Sequence, residues 1–323
     1  MERYVFAVGE EPFCLWGYDL GLENDRYLQS FDASYFEYVA RAHGDHLEGD
    51  DAPRSAIALR AAYHHGLEAL FSILGALSQA PEAVAAWIPR CSNTCLRRFV
   101  SDVSSGNAVL TQRGRQRLSW QILAEVVHSH CWVEENPQGA TAHRYANLWS
   151  RFARDFLDPM HVAEHNSIKH GFRALSGGAV LRVGLEPSYG VAPPESEMQT
   201  IGASPHGVSF STVDPIPPTE LKSPHVRLTH QRLNWRAESM IQALQLISWS
   251  ANNVAGFLRV LNGAPPGTVR FHRPEDPDAF EAPWRWQVGV ISGAMNFVID
   301  ETELIRATRE QLRAELEGRA SAA

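Results

Sequence analysis

The sequence is poor in lysine and cysteine and lacks a long apolar run, which argues against several large classes of protein. It contains only two lysines, Lys169 and Lys222, so arginine supplies nearly all of its positive charge. It has no run of about 18 apolar residues that could cross a bilayer, and its first residues lead into no apolar signal segment. We therefore expect a soluble, cytoplasmic protein that does not associate with a membrane.

Cysteine is also scarce. The four cysteines, Cys14, Cys91, Cys95 and Cys131, are too few and too scattered for a disulfide framework in a chain of 323 residues. Cys91 and Cys95 could supply two ligands to zinc, but a second pair with the spacing of a zinc site is missing. We therefore interpret the four cysteines as free thiols, and we predict neither a bound metal nor another cofactor.

The formal net charge of −8 argues against a protein that coats nucleic acid indiscriminately, because such affinity comes mainly from neutralising phosphates. A local basic segment is nevertheless present, since six arginines and one acidic residue lie between Arg90 and Arg117. A solvated surface is the simpler interpretation of this segment, and a patch that faces phosphate is the alternative.

Apolar spacing predicts a mainly α fold. Hydrophobic residues make up 44% of the chain and charged residues 20%, which is typical of a globular protein. Apolar residues recur at helical spacing through residues 54–79, and similar patterns cover about 115–134, 141–173 and 233–261. We expect the third of these helices to bend at Pro159. Helices joined by short breaks favour an antiparallel helical bundle.

The segment 176–224 differs from the rest of the chain, because it holds eight prolines and only two short β-like runs. This pattern predicts a small β-hairpin insertion in the bundle. The resulting domain prediction has four consecutive segments: residues 1–50, an N-terminal segment with one helix; 51–175, the bundle; 176–224, the Pro-rich hairpin; and 225–323, C-terminal helices packing on the bundle.

The most informative segment is the end of the 141–173 helix, which reads HNSIKHG from His165 to Gly171. Two polar stripes run along this helix, because four residues advance an α-helix by about 400°. They are Asn166, His170 and Arg173 on one face, and His161, His165 and Lys169 beside it. Polar stripes of this kind are costly to bury without partners, so they either line a wet groove or face a partner.

The same segment resembles the signature helix of the HEPN superfamily, helical-bundle domains found in RNA-targeting toxins and defence proteins. The motif of that family is Arg, a polar residue that is often Asn, a short spacer and then His, which Gly frequently follows. Asn166, His170 and Gly171 match the polar position, the histidine and the trailing glycine.

The sequence departs from the family pattern at His165, which stands where the family has arginine. Imidazole is shorter and titratable, whereas a guanidinium stays charged and can fork to a phosphate. Arg154 and His161 satisfy a longer spacing of the motif, but Pro159 lies between them.

The resemblance implies a metal-independent ribonuclease that acts across a homodimer interface, or a member that has lost catalysis and only binds. In the catalytic case His170 would exchange protons with a ribose 2′-hydroxyl or with the leaving oxygen, since imidazole titrates near neutrality. Asn166 would orient the phosphate or the imidazole. Lys169, Arg173 or protonated His165 would stabilise the charge that develops on phosphorus.

Because the arginine is missing, we predict a non-catalytic HEPN-like helical module that binds RNA, a nucleotide or a protein partner and forms a homodimer. The alternative is a metal-independent ribonuclease that uses His170 as acid and base. The residues proposed for catalysis are His170, Asn166, Lys169 and His165. Those proposed for binding are Arg173, Arg154 and His161.

Two further interpretations of the polar residues remain open. Asn166 and His170 could be a hydrogen-bonded pair that only fixes the helix in place. His64 and Glu68, together with the pair Glu125 and His128, could instead suggest a di-iron bundle, but that architecture needs a second Glu-x-x-His helix. Catalysis requires an exposed His170 beside a cation, whereas a structural role permits its burial.

Overall fold

The computed structural model describes residues 1–110, 116–128, 131, 137–170, 173–216, 225–285, 288, 292–295 and 304–321. These residues fold mainly into α-helices, with small antiparallel sheets. The chain divides into two compact units, unit 1 (Met1–His165 and Arg236–Gln287) and unit 2 (Asn166–Trp235 and Val288–Ala323). Each unit therefore draws on two separate stretches of sequence, whereas the sequence predicted four consecutive segments.

Unit 1 is built largely from helices. Its elements in chain order are β1 (Glu2–Val8), β2 (Glu11–Gly17), α1 (Leu20–Ser30), α2 (Ser34–Gly44), α3 (Ala52–Gln79), α4 (Val84–Arg90), α5 (Asn93–Ser104), β3 (Val109–Leu110), β4 (Gln116–Arg117), α6 (Trp120–Val127), α7 (Pro137–Leu157), α8 (Pro159–Lys169) and α9 (Ala237–Leu261). The helix α8 begins in unit 1, and its last four residues belong to unit 2. Short 3-10 turns follow α9 at Pro266–Thr268 and Pro277–Trp284.

The longest helix, α3, forms the centre of unit 1. Its apolar stripe is buried, as the spacing of apolar residues predicted for 54–79, and it packs against α9. The two helices approach closely at Gly66, where an added Cβ would lie 2.9 Å from Cγ2 of Ile247. At Gly75 an added Cβ would lie 2.5 Å from Cη2 of Trp87 on α4. Glycine at these positions therefore sets the spacing between neighbouring helices.

The N-terminal segment is more regular than the sequence indicated. Residues 1–50 hold the antiparallel hairpin β1–β2 and two helices, α1 and α2, where one helix was predicted. Only Asn24 and Leu28 of α1 are buried, so this helix carries no sustained apolar stripe that could reveal it. Similarly, the predicted bent helix over 141–173 is two helices, because Pro159 has no backbone N–H to donate and the Met160 N–H donates to the Asp158 side chain instead.

Unit 2 contains most of the β structure. After the end of α8 come β5 (Ala174–Ser176), β6 (Val180–Val183), β7 (Gln199–Ala203), β8 (His206–Pro215), β9 (Val226–Trp235), β10 (Ser292–Met295) and the helix α10 (Arg309–Ser321). Four of the strands form an antiparallel sheet in the order β10-β9-β8-β5, and β6 pairs with β7 in a separate ribbon. β5 pairs with Val208–Phe210 of β8, and β10 pairs with His230–Leu233 of β9.

The helices of the structure were compared with the length and hydropathy that a membrane-spanning helix requires. Among the residues that the structure describes, no helix combines the length and the apolar character needed to cross a bilayer.

Candidate functional site

The helix α8 carries most of the predicted site residues. The Asp158 side chain caps its start, since Oδ1 accepts a hydrogen bond from the Met160 backbone N–H at 2.7 Å, and Pro159 occupies the first helical position. Lys169 lies in the last turn, where a cation interacts favourably with the helix dipole. His170 follows as a turn residue, and its backbone N–H donates to the Asn166 carbonyl at 3.0 Å.

The end of α8 is exposed. Asn166, Lys169, His170 and Arg173 all have exposed side chains in unit 2. Arg173 follows the helix, and its backbone N–H donates to the Ser167 carbonyl at 2.9 Å, which turns the chain back against α8. Within the described residues, neither Lys169 nor Arg173 forms a salt bridge. The matching position Gly171 lies outside the described residues.

The first turns of α8 face a buried ionic cluster in unit 1, formed by Arg60 and His64 of α3 and Glu164 of α8. The Arg60 guanidinium donates to both oxygens of the Glu164 carboxylate: Nη2 lies 2.5 Å from Oε2, and Nε lies 3.0 Å from Oε1 and from Oε2. Nε2 of His64 lies 3.1 Å from the same Oε2 and donates to it. Glu164 is 0% exposed and Arg60 only 3%. Buried charges of this kind need both partners, because a charge left alone in the interior is strongly unfavourable.

Burial and neighbouring charge fix the protonation of this cluster. Burial alone would raise the pKa of Glu164, but the Arg60 charge and the His64 hydrogen bond outweigh it and hold that pKa well below its ordinary value. Burial lowers the pKa of His64 to about 4, and the Arg60 charge acts in the same direction. At neutral pH the cluster is therefore an ion pair with a neutral imidazole attached.

His165 extends the cluster towards the surface. Its ring stacks on that of His64, with centroids 4.9 Å apart and an interplanar angle of 12°. Nδ1 of His165 lies 3.7 Å from Oε1 of Glu68, and about a fifth of each side chain is exposed. Asn93 of α5 donates to the same Glu68 oxygen at 3.3 Å. The residue at the position of the family arginine is thus a half-buried imidazole held between a ring and a carboxylate.

His161 lies one turn before His165 and is also half-buried. Its ring centroid is 6.3 Å from that of His64, and its Nδ1 donates to the Asp155 carbonyl at 3.2 Å. The Asp155 carboxylate accepts a hydrogen bond from the Tyr63 hydroxyl. Burial and the neighbouring Asp155 raise the pKa of Tyr63 well above its ordinary value, so Tyr63 is a donor at neutral pH.

The structure thus divides the predicted site residues into two groups. His161 and His165 lie beside the ionic cluster in unit 1, whereas Asn166, Lys169, His170 and Arg173 form the exposed end of α8 in unit 2. Arg154 is exposed on α7. A purely structural role would allow the His170 imidazole to be buried and fully hydrogen-bonded, whereas catalysis requires it to be exposed. The side chain of His170 is exposed.

The histidines considered as metal ligands have other partners. His64 belongs to the ionic cluster. His128 is fully buried, its Nδ1 donates to the Ala124 carbonyl at 2.7 Å, and its Nε2 lies 3.3 Å from Nδ2 of Asn253. Throughout the described ranges, no group of three or more His, Cys, Asp or Glu side chains has an arrangement that could hold a metal ion.

The arginine-rich segment has several of its cations engaged. The Arg90 guanidinium lies over the ring of Phe13, and that of Arg97 lies over Phe156. Arg98 forms a salt bridge at 2.8 Å with Glu10. Arg113 and Arg115 lie outside the described residues. Arg90, Arg97 and Arg98 therefore have intramolecular contacts that would compete with a phosphate.

Arg60 and Glu164 are the site residues that sequence reasoning missed. Arg60 occupies a buried position next to Leu59 in the longest apolar helix, and a charge at such a position indicates a buried partner. Glu164 lies inside the motif helix, directly before His165. Their pairing joins residues 104 apart in sequence, which helical periodicity does not reveal.

Comparison with known proteins yields no relative: no protein-family model, no curated protein and no solved structure matches the chain.

Proposed function

We propose that the protein is a helical module that binds RNA through the exposed end of α8, defined as Asn166, Lys169, His170 and Arg173. The observation that carries this proposal is the exposure of all four side chains, with Lys169 and Arg173 free of salt bridges within the described residues. In a chain of net charge −8, two such cations beside a histidine make a local site for an anion.

The side chains at this end suit RNA better than a free anion alone. Arg173 can fork to two phosphate oxygens, and Lys169 supplies a compact positive charge. Asn166 and His170 can donate to and accept from base edges or a ribose 2′-hydroxyl, the group that distinguishes RNA from DNA. Two cations give modest affinity, so the binding is weak and sensitive to salt.

We further propose an antiparallel helical bundle with a small β-hairpin insertion within residues 176–224, as the sequence pattern predicts. The resemblance to the HEPN superfamily adds the proposal of a homodimer. The half-buried His165 supports a binding role over a catalytic one. The His165 ring is stacked on His64 and lies near Glu68. It therefore does not extend into solvent towards a phosphate, as the arginine of the family motif would.

A second candidate function is metal-independent RNA cleavage with His170 as the acid–base group. The exposure of His170 next to Lys169 favours it, because proton transfer needs an accessible imidazole and a cation to stabilise the phosphorane-like charge.

The binding proposal is tested by fluorescence polarisation with a labelled single-stranded RNA at low salt. The double variant Lys169→Ala/Arg173→Ala should bind roughly tenfold more weakly, and the slope of log affinity against log salt should fall by about 1.4. The matched control is Arg41→Ala/Arg313→Ala, which removes two exposed helical cations elsewhere and should leave affinity nearly unchanged. Equal loss in both double variants would mean diffuse attraction and would refute a site at α8.

The same RNA, incubated with protein in EDTA, separates the two candidates. Cleavage that His170→Ala abolishes identifies a ribonuclease and its acid–base group. Binding without cleavage identifies a binding module. A folded protein that neither binds nor cleaves the RNA would refute both.

A further inference from the structure

Unit 1 contains a cavity of about 320 Å3 away from α8. It lies between the turn of the β1–β2 hairpin, the C-terminal end of α3, one face of α5 and the segment that leads to α6. Its volume is at the lower end of the range of roughly 300–1,000 Å3 in which small-molecule sites fall. The cavity and its ligand are independent of the RNA proposal.

One part of the cavity wall is apolar and buried. Val8, Phe99 and Leu118 line it, and each is less than a tenth exposed. The hairpin turn is fixed to the end of α3, because the Gly9 backbone N–H donates to Oε1 of Gln79 at 2.9 Å. The lining is therefore preformed, as the binding site of a small apolar group generally is.

Charge at the mouth of the cavity is predominantly negative. Among the described residues, the lining includes three carboxylates, from Glu10, Glu11 and Asp102, and one cation, Arg98. Arg98 lies 2.8 Å from Glu10 and 3.8 Å from Asp102, so it offsets one of the three charges. An anionic ligand would meet a net repulsion, whereas a cationic one would be attracted.

We propose that this cavity binds a small primary amine with a compact apolar body. The ammonium group lies among the carboxylates of Glu10, Glu11 and Asp102, and the apolar part contacts Phe99 and Leu118. The volume of the cavity, at the lower end of the range for small-molecule sites, favours a small ligand. The thiol of Cys95 also lines the cavity and serves as a reporter of its occupancy.

The test uses the full chain with 2-phenylethylamine as the probe and 3-phenylpropanoate as an anion of similar size. Calorimetric titration and thermal unfolding should show saturable binding and a raised Tm with the amine, but not with the anion. Asp102→Asn should weaken amine binding roughly fivefold, the loss typical of one partly exposed charge. The control Glu23→Gln removes an exposed carboxylate of α1 that also pairs with an arginine and does not line the cavity.

Alkylation by iodoacetamide, followed by peptide mass spectrometry, locates the binding. The amine should slow modification of Cys95 and leave that of Cys14, which is exposed and outside the cavity, unchanged. The proposal is overturned if the anion binds as well as the amine, if amine binding leaves Cys95 equally reactive, or if no amine binding is detected with folded protein.

Discussion

The buried ion pair between Arg60 and Glu164 leads to a sharp prediction for stability. Glu164→Gln keeps the shape of the side chain and a hydrogen-bond acceptor for His64, but leaves the Arg60 guanidinium without its counter-charge at 3% exposure. Removing one partner of a buried pair costs about 3–5 kcal/mol, because the remaining charge cannot be solvated. That is a large part of the roughly 5–15 kcal/mol by which a folded domain is stable.

Replacing both partners should restore much of this loss. In Arg60→Met/Glu164→Met neither charge remains to be solvated, and the sulfur of Met240, 3.4 Å from Nη1 of Arg60, shows that an apolar neighbour is present. Apolar replacement of a whole buried pair is often close to neutral. We therefore expect the double variant to be more stable than Glu164→Gln.

The assay is urea unfolding followed by tryptophan fluorescence, which reports mainly on unit 1 because only Trp235 belongs to unit 2. The control is Glu23→Gln, in a surface pair in which more than half of each side chain is exposed, and it should change stability by less than about 1 kcal/mol. A loss below about 1 kcal/mol in Glu164→Gln, or a double variant no more stable than it, would refute the reasoning.

Two further predictions concern unit 1. Burial lowers the pKa of His64 to about 4, so the stabilisation from its neutral form is complete above the ordinary pKa of 6.5 and is lost as the pH falls from 6.5 to 4. Denaturant titrations should show that the free energy of unfolding decreases by about 3 kcal/mol across this window. His64→Gln should make the free energy of unfolding depend less on pH over the same range. Gly75→Ala should lower the free energy of unfolding by about 1–3 kcal/mol, because the new methyl group would clash with Trp87 on α4. Gly21→Ala, which places its methyl group in open space on α1, should raise that free energy by about 0.4–1 kcal/mol. A destabilised Gly21→Ala variant or an unchanged Gly75→Ala variant would contradict this account.

The sequence predicts those elements whose buried apolar residues recur at a single regular spacing. The helix α3 was predictable because its apolar residues keep helical spacing over most of its 28 residues. The helix α9 begins at Ala237, slightly later than the pattern indicated, because Leu233–Trp235 pair with β8 instead. Strand pairing overrides local periodicity there. The short helix α1 buries too little apolar surface to be recognised.

The candidate site was predictable only in part. Polar stripes identified α8, because hydrogen-bonding side chains at helical spacing depart from the pattern of a core helix. His161 and His165 face His64, and the neighbouring Glu164 pairs with Arg60. Both partners lie about a hundred residues earlier in the chain. No local rule supplies such a pairing, so the exposed and buried halves of the motif could be distinguished only in three dimensions.

The sheet of unit 2 has a consequence for the behaviour of the protein in solution. Beyond the stretches paired with β5 and β10, the outer halves of β8 and β9 pair only with each other among the described strands. Val213, Val226 and Leu228 lie there, each more than half exposed, and open strand edges with apolar side chains act as templates for other chains. Arg227 opposite Asp214 provides the charge that opposes such pairing. We therefore expect pairing of unit 2 with another chain to begin at this stretch of β8 and β9, where Asp214 and Arg227 are the charges that oppose it.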